Sequence, residues 1–96
     1  MSLPPDEQVK KALVSLAIEQ ALLEFGTPML EEVTEMLLER YRCSIPDCYE
    51  KPEYLNKVLK EFFGNSYKVI VESIKKNLKD HSSEKTIEKF LKVISQ

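Results

Sequence analysis

The 96-residue sequence holds no tryptophan, a single histidine, two glycines and two cysteines. Gly26 and Gly64 are too few for a phosphate-cradling loop, which needs several glycines in one short turn. His81 and one cysteine pair fall short of the four ligands of a structural zinc site, so no metal or other cofactor is expected. No apolar run exceeds three residues, as in Leu16-Ala17-Ile18. No segment is therefore long enough to span a bilayer. The N-terminus also lacks the cationic start and apolar run of a secretion signal. These absences point to a cytoplasmic protein without membrane attachment.

The chain is 43% apolar and 31% charged, the balance of a globular domain and not of a disordered one. Its length is that of one domain, residues 1–96. The net charge of −2 hides an asymmetry. Residues 1–50 carry four basic against ten acidic side chains, a net of −6; residues 51–96 carry ten lysines against six acids, a net of +4. The halves either attract each other within one domain or form a bipolar surface for self-association or an acidic partner.

The apolar spacing and helix punctuation predict an all-α fold, a compact bundle of about five helices. The first runs from Pro5 to Phe25, closed by Gly26. The second opens at Thr27-Pro28 and ends near Arg42, with Leu30, Val33, Met36, Leu37 and Tyr41 inward. A loop covers 43–51. Pro52 opens a third helix that Gly64 closes after Phe63. The fourth covers about Ser66 to Lys79 with Val69, Ile70, Ile74 and Leu78 inward, and residues 82–96 form a C-terminal helix on Ile87, Phe90, Leu91 and Ile94. No strand-like alternation and no internal repeat is present.

Helix one carries two apolar stripes. One is Val9, Ala12, Leu13, Leu16, Ala17 and Leu23; the other is Val14, Ile18, Ala21, Leu22 and Phe25. A helix this apolar must be covered on most sides. The second stripe is therefore the candidate interface of a homodimer or of a protein partner.

Catalysis finds little footing. Asp80, His81, Ser82 and Ser83 crowd one connector, whereas triad residues come from separate elements around a pocket; capping explains them better. The acids Glu31, Glu35 and Glu39 read as a solvated face. An enzyme is not expected. Cys43 and Cys48 read as two reduced thiols, at least one of them partly buried, with a local disulfide left open. The turn after Phe62-Phe63 invites a helix-turn-helix reading in which Lys68, Lys75, Lys76 and Lys79 contact nucleic acid. Glu72 partly neutralises that face, the fourth helix has no arginine for base readout, and the pI of 5.5 is not basic. Nucleic-acid binding is thus the alternative and not the leading reading.

One pattern extends from Gly26 to Leu78. A helix ends in Tyr41, a loop with prolines follows, and a helix opens at Lys51-Pro52-Glu53. Then comes a Phe63-Gly64-Asn65-Ser66 corner and a helix reading Val69, Ile70, Glu72, Ile74 and Leu78. Residues 26–80 in this order resemble the archaeal (Nitrosopumilus-type) output domain family. The resemblance implies a small helical domain associated with signalling and transcription proteins that passes on a signal by contact. It implies no catalytic residues. Together these readings predict a regulatory protein-interaction module that self-associates.

Overall fold

The computed structural model describes residues 3–96. The helices are α1 (Pro5–Leu23), α2 (Thr27–Tyr41), α3 (Pro52–Phe63), α4 (Tyr67–Asn77) and α5 (Lys85–Ile94). Three 3-10 turns, Pro46–Tyr49, Gly64–Ser66 and Lys79–His81, join them, and no strand occurs among the described residues. The expected all-α class holds. The radius of gyration is 12.3 Å, close to the ~12.5 Å of a compact chain of this length.

Proline and glycine set the punctuation. Pro5, Pro28 and Pro52 each sit in the first two positions of a helix, where a missing N–H leaves no bond unmade. Gly26 (φ 114°) and Gly64 (φ 56°) take backbone conformations that a side chain resists. Helix α2 ends differently. Arg42 closes it in the left-handed conformation (φ 52°, ψ 38°). Its N–H bonds to the Leu38 carbonyl at 3.0 Å, and the Cys43 N–H bonds to that of Leu37 at 3.2 Å. Glycine is the usual residue at such a stop. A side chain there costs about 1–2 kcal/mol.

The connector after α2 is more ordered than a plain loop. The Asp47 carboxylate accepts bonds from the Ser44 N–H (3.1 Å) and hydroxyl (2.8 Å), and the Asp47 N–H points back to the Ser44 Oγ. This is the reciprocal bonding of a capping box. The Ser44 N–H and hydroxyl hold the Asp47 carboxyl below the usual range. The turn that follows seats Cys48 in the core.

Helix α1 packs against α4, α2 and the 46–49 turn, and α3 packs against α2, α4, α5 and the same turn. Polar bonds lock the first of these seams. Asn77 Nδ2 donates to the Ala17 carbonyl at 3.1 Å and Ser73 Oγ to Glu24 at 3.0 Å. Tyr49 donates its hydroxyl to Glu7, and Lys11 Nζ reaches Glu50 at 2.7 Å. Arg40 pairs with Glu61 across α2 and α3.

Three expectations need correction. Val69 is exposed, and Val71 takes its place in the core, where α4 packs against α1 and α3. The C-terminal helix begins at Lys85, not at 82, because Lys79–His81 forms a turn and Glu84 holds an extended backbone at the helix entrance. The third concerns α1. Val14, Ile18, Ala21 and Leu22, expected as an interface, are wholly buried at 0% exposure within the single chain. They are core, because α4 and α2 already cover that face.

Ile18→Ala should therefore lower the unfolding free energy by about 2–5 kcal/mol in urea titration. Ile18→Glu should abolish the cooperative transition, because it buries an unpaired carboxylate. A folded, monomeric Ile18→Glu protein would contradict this packing.

Candidate interaction surface

A helix at the edge of a bundle normally turns polar residues outward. Helix α1 does not. Its outward line is Val9, Ala12, Leu16, Gln20 and Leu23, all exposed and none charged. Val9 is 60% exposed, Leu16 52% and Leu23 45%. The three large residues are seven apart. At 1.5 Å per residue the line is about 21 Å long. The polar stripe of the same helix lies elsewhere. Ser15 is buried and donates to Glu19 at 3.2 Å, and Lys11 is half-buried against the connector.

Phe25, the fifth residue of the predicted interface, is 42% exposed. It meets Phe63 edge-on at 5.8 Å, and Phe63 meets Phe62 in the same manner at 5.1 Å. Of the predicted set, Phe25 alone lies at the surface, past the end of α1 and against Phe63 of α3. Sequence reasoning placed Val9, Leu16 and Leu23 in the other stripe. Nothing in their spacing could have told the two faces apart. The discriminating facts are which sides α2, α4 and the 46–49 turn occupy.

The lysines of the nucleic-acid alternative are only partly gathered. Lys68, Lys76 and Lys79 are exposed, and Lys75 is half-buried. Lys75, Lys76 and Lys79 line one shallow groove facing Leu91 of α5, while Lys68 borders a neighbouring one. Glu72 lines both grooves and holds Lys75 at 3.5 Å. The cationic face is thus interrupted at its centre.

The thiols face inward. Cys43 and Cys48 are free and buried, and their sulfurs lie 4.0 Å apart in S–H···S contact. At 4.0 Å the sulfurs are neighbours and not bonded in this structure, where a disulfide would hold them about 2.05 Å apart. Burial pushes both thiols up from their ordinary pKa, Cys48 the further. The thiolate is the reactive form, so neither sulfur is built as a nucleophile. His81 sits on an edge of the fold with Nδ1 3.1 Å from Glu84. Among the described residues no three His, Cys, Asp or Glu side chains converge as a metal site. Among the described residues no helix is long and apolar enough to cross a membrane.

The folded protein at neutral pH should leave both thiols unlabelled by iodoacetamide, and both should react once guanidinium unfolds the chain. Rapid labelling of Cys48 in the folded state, read by peptide mass spectrometry, would contradict its burial. Comparison with protein-family models, with curated proteins and with solved structures gives no match to this chain.

Proposed function

We propose that this chain is a small protein-interaction module that pairs with a second copy of itself through the outer face of α1. One observation carries the reading. Three of the six exposed large apolar side chains among the described residues, Val9, Leu16 and Leu23, stand in one line on α1. Their spacing supports a second copy as the occupant. Val9 and Leu23 lie seven residues to either side of Leu16, and Ala12 and Gln20 lie four to either side. A two-fold axis through Leu16 therefore sets Val9 against the partner's Leu23 and Ala12 against the partner's Gln20, the self-complementarity that an isologous contact requires. The seven-residue period suits a helix-to-helix seam.

Magnitude fixes the kind of complex. A standard interface buries about 800 Å² on each partner, and one helix face offers much less. The pairing is weak and reversible, as suits a regulatory contact. That the contact relays a signal rests on the resemblance of residues 26–80 to output domains. Two buried free thiols fit a reducing compartment such as the cytoplasm. The reading assigns no catalysis.

Sedimentation velocity tests the pairing. The wild-type chain should dimerise at tens of micromolar, roughly where weak contacts populate. Leu16→Glu should sediment as a monomer with its helical circular dichroism unchanged, since residue 16 lies outside the core. Added salt should leave the dimer intact, because the contact is apolar. A wild-type monomer at that concentration, or a dimer that salt dissolves, would end the reading.

A further inference from the structure

A cleft of about 150 Å³ opens between the end of α2, the connector and the first turn of α3. This is room for a molecule several times the size of water. Cys43 lies in its lining, and Tyr41 and Tyr54 form one wall. The two rings stack at 4.4 Å with 7° between their planes. Both tyrosines are half-buried, so the stacked pair gives the cleft an aromatic side.

Four charged residues complete the lining: Arg42, Lys51, Asp47 and Glu50. The two acids are already engaged. Lys11 reaches in from α1 to Glu50 at 2.7 Å and to Asp47 at 3.7 Å. Asp47 is held again by Ser44 at 2.8 Å. The two cations are not engaged. Neither Arg42 nor Lys51 makes an ion pair among the described residues. Lys11, from outside the lining, holds both acids, which leaves Arg42 and Lys51 as the lining charges without an ion-pair partner among the described residues.

Arg42 is also the only residue other than glycine with a positive φ among those described. Glycine would close α2 there with less strain. An arginine held at a strained position is a reason to ask what its guanidinium does. A guanidinium forks onto a phosphate or carboxylate with two parallel hydrogen bonds, which a lone ammonium cannot do.

We propose that this cleft binds a small organic anion. A phosphate or carboxylate head sits between the Arg42 guanidinium and the Lys51 ammonium. A short flat body lies along the Tyr41–Tyr54 wall. The site is independent of the pairing of α1, because none of the outward residues of that helix lines it.

Amide chemical-shift titration tests this with phenyl phosphate, benzoate, inorganic phosphate and phenol. Phenyl phosphate or benzoate should shift the amides of Arg42, Cys43, Lys51 and Tyr54 and saturate with a Kd below about 1 mM. The tighter of the two assigns the head group. Inorganic phosphate should act at the same amides more weakly, and phenol more weakly again. Arg42→Gly should weaken the better ligand at least tenfold while the thermal midpoint holds or rises. Arg42→Lys should retain part of the affinity, and Lys51→Gln should weaken binding by a smaller factor. Three results would overturn the proposal. One is phenol binding as tightly as the anions. Another is unchanged affinity in Arg42→Gly. The third is shifts confined to Lys75, Lys76 and Lys79, which would mark non-specific attraction to surface lysines.

Discussion

Helix α1 carries more apolar surface than the rest of the chain can cover. Its inner face holds Val14, Ile18, Ala21 and Leu22, all removed from water. Helices α2 and α4 and the connector close three sides of it. The remaining helices are committed to α3, whose own inner face gathers Leu55, Val58 and Leu59 against α5. A small domain has a high ratio of surface to volume, and no element is left to lie on the fourth side of α1. Burying an apolar side chain fully is worth about 1.5–3 kcal/mol. Val9, Leu16 and Leu23 are already partly covered, so each returns only a fraction of that when a second copy covers it. Six such residues, three from each copy, offset an association cost of at least about 4 kcal/mol by a small margin. The same surplus that leaves the face open keeps any complex built on it weak.

The connector solves a different problem. Ten residues between α2 and α3 must place two buried cysteines and Ile45 without the ladder of a long helix. Ser44 and Asp47 satisfy each other's polar groups, and Lys11 ties Asp47 and Glu50 to α1. The bond to Glu50 raises the Lys11 pKa by more than burial lowers it, so the ammonium stays charged. The result is an ordered wall where a mobile loop would otherwise lie. That order brings Arg42 and Lys51, nine residues apart, to one cleft.

Much of this fold was legible in the sequence because its signals are local. Pro52 and Gly64 bound α3, and the stripe of Ile87, Phe90, Leu91 and Ile94 is buried as its period requires. Apart from the start of the C-terminal helix, the failures concern which way an apolar residue faces. Val69, Ile70 and Val71 are consecutive, and a period of 3.6 residues fits Ile70, Ile74 and Leu78 with either valine. Helix α1 offers two stripes of equal quality. In both cases the outcome is set by neighbours distant in sequence, Asn77 and Ser73 against α1 among them. The Ser44-x-x-Asp47 capping box was readable in principle, since its spacing is diagnostic. The cleft was not, because no spacing rule announces a left-handed arginine.

Local rules and the global fold agree along most of the chain. Helices α3, α4 and α5 have one apolar face each, prolines stand at helix starts, and glycines stand at two of the sharp corners. Agreement of this kind is what makes a sequence specify one structure. Two places break it. The outward face of α1 is uncharged where solvent favours charge, and Arg42 holds a backbone conformation that suits glycine. Neither breach serves the stability of the single chain. Leu16→Glu would leave the core intact, and glycine at 42 would relieve strain. A residue kept against its own local preference, at a position the fold does not need, is explained by what it touches outside the fold. On the readings proposed above, the first breach is a helix face that meets a second copy, and the second is a cation lining a cleft whose acids Lys11 and Ser44 already hold.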